Sequence, residues 1–384
     1  MNNTNTDVVS KLLSQGGYGC VYYPGITCEG TTEMDTKVIT KLQKTDDAYY
    51  NELDIGEYIK DNIKYYKKLY APVLSGCDIN LSQVKIKGKN ECKVIEKYQY
   101  KRDVKFGVMK IPYIQGMTFY DHIKSHTTGD NPLWSTSKTV TVFLETYMQL
   151  VEALGELYAW GITHYDLKGI NIMWDEVNQR PIIIDFGLSK NIVEALEEND
   201  LRDIFYVYSS RYTLWAPEIH LMSYVLNERI TDNVTTIRDA GYNTNNSQRP
   251  LDTLSTFADY RITQTDIETV VNEIVSQNDI YKSLMSNNFM SQYTYNAKEY
   301  LNNEFSSNTV TRSLNTIIGS AETWDTYALG IMYLRFISHL TNIDTINDPV
   351  ILSFSKLLLF TSHPIITKRY AFERIRREIK NIVE

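Results

Sequence analysis

Apolar and polar residues are distributed differently in successive stretches of the chain. Up to about residue 115, Val, Ile and Tyr recur in short runs at Cys20–Tyr23, Lys37–Leu42, Val84–Ile86, Lys93–Tyr100 and Phe106–Tyr113. Such runs, bounded by turn residues, predict strands. One helical stretch interrupts them at Asp47–Lys60, with apolar residues at Leu53, Ile55 and Ile59. Further on, Phe143, Tyr147, Val151, Leu154 and Leu157 recur at helical spacing and predict a long amphipathic helix. The apolar run Pro181-Ile-Ile-Ile-Asp185 then reads as a buried strand. Between about 225 and 320, 37 of 96 residues are Asn, Ser or Thr, with Pro250 the single proline, which marks a polar insertion. It still carries a helical signal. Ile267, Val270, Val271, Ile274 and Val275 share one face, and Thr265-Asp-Ile-Glu268 reads as a capping box ahead of them. From Trp324 to the end apolar helical periodicity returns, and no internal repeat is visible.

The length of 384 residues suggests two or three domains, or one with a large insertion. A hydrophobic share of 43% and a charged share of 22% fit a globular protein and exclude wholesale disorder. The net charge of −8 argues against a generally basic nucleic-acid binder and against binding to anionic membranes. The four cysteines, Cys20, Cys28, Cys77 and Cys92, contain no CxxC pair and read as free thiols in a reducing compartment. The opening Met1–Val9 lacks a basic region followed by an apolar stretch, and Ile351–Phe360 is too short and too interrupted to span a bilayer. Asn233 and Asn245 therefore carry no weight as glycosylation sites, and an intracellular, cytoplasmic location is expected.

The chemistry begins at Leu13-Ser14-Gln15-Gly16-Gly17-Tyr18-Gly19-Cys20-Val21. Glycines let backbone N–H groups approach a phosphate without a Cβ in the way, although a lone glycine cluster equally makes a tight β-turn. In Lys37-Val-Ile39-Thr-Lys41 the alternation puts Lys41 within reach of phosphate oxygens, and Glu52 lies in the helical stretch that follows. The densest segment is His164-Tyr-Asp166-Leu-Lys168-Gly-Ile-Asn171-Ile-Met173, followed by Asp185-Phe186-Gly187. One loop there presents a carboxylate, an ammonium and an amide. Asp166 can accept the proton of a substrate hydroxyl, and Lys168 can neutralise a transferred phosphoryl group. Asn171 and Asp185 can offer oxygen ligands to Mg²⁺.

With Ala216-Pro217-Glu218 these motifs stand in the order of the eukaryotic-type protein kinase family, which the chain resembles over nearly all its length outside the insertion. Trp324-Asp325 through Gly330 is similar to the family's structural-aspartate helix, and Pro364–Arg369 to the late segment whose arginine pairs with the APE glutamate. The resemblance implies a bilobal α+β fold: a small, mainly antiparallel-β lobe over residues 1–115, and a larger, mainly helical lobe over 116–384 carrying the insertion. It implies a serine/threonine kinase that uses ATP and Mg²⁺ on protein substrates. Asp166 would be the base, Lys168 would stabilise the γ-phosphate, and Asn171 and Asp185 would hold the metal. Lys41, held by Glu52, would contact the α- and β-phosphates. Ile111 would be the gatekeeper in a hinge over residues 111–116, the Ile114 N–H would meet adenine, and Val21, Ile39 and Met173 would sandwich its ring.

Several positions depart from the family pattern. Ser14 stands for the first glycine, Ile39 for the usual alanine, and Gly56 for a bulky packing residue. Glu57 competes with Glu52, but Glu52 has Ile55 and Ile59 at +3 and +7 where Glu57 has Lys60 at +3. Tyr165 replaces the arginine that senses a phosphorylated activation loop, and the stretch after Gly187 is already acidic, so activity without such phosphorylation is expected. Ser209, Ser210, Tyr212 and Thr213 precede Ala216, and any of them could meet the catalytic loop. The insertion reads equally as a docking element or as a surface excursion. Asn- and Tyr-rich composition also resembles kinases encoded by large DNA viruses. The alternatives to an active protein kinase are a nucleotide-binding pseudokinase module and a small-molecule kinase. The first would have lost a catalytic residue, and the second lacks the Lys168 and Ala216–Glu218 positions.

Overall fold

The computed structural model describes residues 10–17, 19–84, 89–101, 104–197, 204–205, 207–229 and 260–384. The chain forms two compact units, one from residues 1–120 with 169–189, the other from 121–168 with 190–384.

The first unit is built on a five-stranded antiparallel sheet in the order β1 (Lys11–Gln15), β2 (Gly19–Tyr23), β3 (Val38–Lys44), β5 (Phe106–Pro112), β4 (Ser75–Ile79). Because side chains alternate across a strand, register decides which residues share a face. Cys20 pairs with Leu42 and Leu42 with Val108, and all three belong to one buried cluster. Val21 pairs with Lys41 and Ile39 with Ile111, so these four occupy the opposite face. Gly19 sits where a Cβ would come within 2.8 Å of the Leu42 carbonyl, so only glycine lets β2 leave the loop this close to β3.

The cysteines are paired, not free. Cys20 bonds Cys92, and Cys28 bonds Cys77. The expectation of free thiols fails because the fold brings together partners 72 and 49 residues apart in sequence, which spacing alone does not show. The argument for a reducing compartment built on free thiols falls with it. The first bridge fixes the N-terminal end of helix α2 (Lys93–Tyr98) against the sheet. This segment was expected as a strand. Val94, Ile95 and Tyr98 instead meet the cluster of Cys20, Leu42 and Val108 from one helical face, and packing overrides the β-branched propensity. Of the expected strand Val84–Ile86, Val84 follows a turn, its N–H reaching the Leu81 carbonyl, and residues 85–88 fall outside the described residues. The strand that pairs with β5 on the side away from β3 is β4, whose Ser-Gly-Cys-Asp-Ile sequence carries little strand signal.

Helix α1 (Asp47–Asn62) buries Tyr49, Glu52, Ile55, Gly56 and Ile59. Gly56 is explained by closeness, since a Cβ there would stand 2.7 Å from the Val73 carbonyl. A second antiparallel sheet, ordered β6 (Gly116–Thr118), β8 (Ile172–Asp175), β9 (Arg180–Ile183), completes this unit.

Among its described residues the second unit is mainly helical, with one two-stranded pair, β7 (Ile162–Thr163) and β10 (Lys190–Asn191). Helix Thr136–Ala159 buries the whole apolar stripe expected of it, from Phe143 to Leu157. Helix Trp324–Ser338 is buried almost throughout and forms the centre of the unit. The polar insertion contributes ordered helices, Gln264–Gln277 and Asn287–Phe305 among them. Ile267, Val270, Val271 and Ile274 are buried as their spacing predicts, but the capping box is Thr263 with Asp266, two residues earlier than expected. The earlier pair prevails because Asp266 also receives Arg229 and the Tyr260 hydroxyl. One β-rich unit and one helix-rich unit make the chain α+β, as expected. No helix among the described residues is long and apolar enough to cross a membrane.

Candidate active site

In the first unit the side chain of Lys41 ends between two carboxylates, 2.7 Å from Glu52 Oε2 and 2.8 Å from Asp185 Oδ1. Glu52, not Glu57, makes the contact, because its place on α1 puts it on the buried face with Ile55 and Ile59. Burial alone would lower the Lys41 ammonium, but the two carboxylates reverse this and hold it above its ordinary range. Burial lifts the Glu52 carboxyl, with Lys41 opposing the shift. Gly187 has no side chain to press on Glu52, whose carboxylate would lie 3.3 Å from a Cβ there.

Asp185 is held in a left-handed backbone conformation (φ 63°), uncommon for a residue with a side chain. Several contacts fix it there. Ile183 and Leu69 to Ala71 exchange backbone hydrogen bonds, and Phe186 packs edge-on to Tyr70. From α1, Asn51 donates to the carbonyls of Gly187 and Ser189. The carbonyl of buried Asn171 accepts from the Ile184 N–H at 2.9 Å, so Asn171 and Asp185 flank the same end of the β8–β9 pair.

The remaining expected residues of this unit fall into two groups. Val21, Ile39, Ile111, Ile114 and Met173 are half-buried, and the first three share the Lys41 face. Leu13, Ser14 and Gln15 lie on β1, and the Gly16 N–H closes the turn on the Gly19 carbonyl. Gly16 and Gly17 have open space where a Cβ would stand. Tyr18 lies outside the described residues. The Cys20 side chain is not brought to this face; it is fully buried on the other side in its disulfide.

In the second unit the Asp166 carboxylate receives Lys168 Nζ at 2.8 and 3.0 Å and the Tyr212 hydroxyl at 2.5 Å. Tyr212 is thus the residue before Ala216 that meets the Asp166 loop. Burial and the Asp166 charge push its phenol well above the ordinary range, so it stays protonated and donates. The loop backbone is held by Asp325, which accepts from the His164 N–H at 2.7 Å and the Tyr165 N–H at 3.0 Å. Asp325 is buried, which raises its carboxyl against those two donors. Tyr165, also left-handed (φ 64°), packs its ring on Trp215 and Trp324 while its carbonyl accepts from the Trp215 indole. Glu218 and Arg369 form a fully buried two-pronged ion pair at 2.7 and 3.0 Å, as the resemblance implies. Tyr212 was one of four candidates that its position before Ala216 left open, and Asn51 had no readable role in the sequence, because it belongs to no fixed-spacing motif.

Residues 83–228 match the family model of the protein kinase domain. Two Arabidopsis thaliana proteins, leaf rust 10 disease-resistance locus receptor-like protein kinase-like 1.4 and 1.3, are each 26% identical to the chain, over 186 and 185 residues. Each alignment covers 48% of this chain and 22% of the relative. The matched span contains the Asp166 loop, Asp185 and Glu218; Lys41 and Glu52 lie before it.

Proposed function

From a chain that carries a eukaryotic-type protein kinase domain, we propose an ATP- and Mg²⁺-dependent kinase that phosphorylates Ser and Thr hydroxyls of proteins. The observation that carries this reading is the Lys41 ammonium set between Glu52 and Asp185. A half-buried lysine held at two carboxylates from different elements is a cation kept in place for phosphate oxygens. The donor set fits Mg·ATP. One amide and one carboxylate, Asn171 and Asp185, are enough for a metal that takes its other ligands from water and phosphate. When bound, Mg²⁺ would neutralise phosphate charge there.

Asp166 accepts the proton of the acceptor hydroxyl as its oxygen bonds to the γ-phosphorus and the bond to the ADP oxygen breaks. Lys168, already on Asp166, supplies positive charge where the phosphoryl group carries negative charge. Lys168 two residues after Asp166 also supports Ser/Thr over Tyr acceptors. The pseudokinase alternative has no support in the residue set, since Lys41, Asp166, Asn171 and Asp185 are all present.

The test is transfer of labelled γ-phosphate from Mg·ATP to the chain itself and to basic and acidic generic substrates, with Asp166→Asn and Lys41→Met beside the wild type. Phosphoserine or phosphothreonine is expected, falling by about 10²–10³-fold in either variant. Phosphotyrosine alone would overturn the Ser/Thr assignment. Binding of Mg·ATP without any transfer would overturn the enzyme and favour the pseudokinase.

A further inference from the structure

The polar insertion touches the segment that precedes Ala216. The Tyr208 hydroxyl donates to Glu273 Oε2 at 2.6 Å, and Glu273 lies on insertion helix Gln264–Gln277. The same helix lines a small cavity with Ile274 and Val275, joined by Asn278 at its C-terminal end, and the other walls include Thr213, Trp215 and His220. Tyr208 also packs edge-on to Tyr224 and His220. Four residues beyond Tyr208, Tyr212 donates to Asp166 and rests on Trp215, which in turn donates to the Tyr165 carbonyl. Glu273 is thus linked to the catalytic carboxylate by a short chain of hydrogen bonds and ring contacts, all within one unit. At position 165, moreover, stands an aromatic ring packed between two tryptophans, where a cation would be needed to receive a phosphate.

We propose that Glu273 is a positioning residue: through Tyr208 the insertion holds residues 207–216 in the arrangement that seats Tyr212 on Asp166, and so orders this segment without phosphorylation. The proposal rests on the reading of Asp166 as the catalytic base. The contact is a hydrogen bond to a carboxylate in a half-buried setting, strong enough to decide the local conformation of a short segment.

Glu273→Ala and Tyr208→Phe remove the contact from either side in the full chain, while Glu273→Gln keeps an acceptor oxygen for the hydroxyl. Two readouts are taken: amide hydrogen exchange at residues 207–216, and steady-state transfer from Mg·ATP to the generic serine peptide the wild type uses best. In Glu273→Ala and in Tyr208→Phe, exchange at 207–216 is expected to rise about tenfold or more, with exchange in β2, β3 and β5 unchanged. Peptide kcat is expected to fall about tenfold with KM for Mg·ATP unaltered, the double variant no worse than either single one, and Glu273→Gln within about twofold of wild type. Unchanged protection at 207–216 in both variants would overturn the proposal. So would a general rise in exchange that includes the first unit, or wild-type kcat in Glu273→Ala. A wild type that transfers no phosphate would overturn the kinase reading instead, and the exchange at 207–216 would still decide whether the insertion holds the segment.

Discussion

His220 follows the Ala216–Glu218 motif by two residues and is buried against Trp215, with Tyr208 edge-on. Burial holds its imidazole neutral, with a pKa lowered to about 4 from 6.5. Between those values the unfolded chain binds a proton that the folded chain does not, so this group's share of stability is lost as pH falls from about 6.5 towards 4. The share amounts to about 3 kcal/mol. His220→Leu, near in volume and unable to titrate, is expected to flatten this part of the profile, read as the wild-type minus variant difference in urea unfolding between pH 7 and about 4. An unchanged slope would mean that His220 is charged or solvated in the fold. Sequence reading at this scale reached residues whose roles depend on neighbours in the chain. Asp166, Lys168 and Asn171 sit within six residues because one loop has to carry them. Tyr212 meets Asp166 across 46 residues and Asn51 meets Gly187 across 136, and no local spacing encodes either approach.

Among elements, periodicity was legible wherever a single face does the packing. The helix over Thr136–Ala159 and the buried face of Gln264–Gln277 follow from spacing alone. Lys93–Tyr98 did not, because the same apolar residues serve a strand or a short helix, and the bridge from Cys92 to Cys20 decides between them. The late arginine segment shows the energetic weight of one long-range contact. Arg369 and Glu218 are fully buried, and Arg369 also donates to the Thr323 hydroxyl, joining Pro217–Tyr224, Trp324–Ser338 and the chain end. Arg369→Ala would leave the Glu218 charge buried without a partner, at a cost of about 3–5 kcal/mol. Replacing both with Met is expected to restore most of that loss, since the pair's desolvation cost disappears with its attraction. Chemical denaturation of the two variants checks this, and a double variant as unstable as Arg369→Ala would show that the ion pair itself, not the stranded charge, supplies the stability.

At the scale of the molecule, the four cysteines and the two bridges they make all lie in the first unit. The second unit contains no cysteine in sequence, so reduction acts on one unit alone. The bridges also differ in access. Cys20 and Cys92 are fully buried in an apolar cluster, whereas Cys28 is exposed. A small thiol reductant is therefore expected to open Cys28–Cys77 first, and Cys20–Cys92 only when the sheet opens. Each bridge closes a long loop of the unfolded chain and contributes about 2–4 kcal/mol by that route. Oxidised protein should alkylate at none of its four cysteines, mildly reduced protein at Cys28 and Cys77, and fully reduced protein at all four. Calorimetry of the reduced chain should then show a transition from the first unit moved down by several degrees, while that of the second stays in place. Free thiols at Cys20 and Cys92 in protein purified without reductant would return the chain to the unpaired state that its sequence suggests. An equal shift of both transitions on reduction would show instead that the two units do not unfold separately. The outcome bears on function through position, because β2 carries Cys20 and Val21 on opposite faces. If the buried bridge fixes that strand, loss of Mg·ATP binding should follow opening of Cys20–Cys92 and not of Cys28–Cys77, which titration of nucleotide into the two reduced states measures directly.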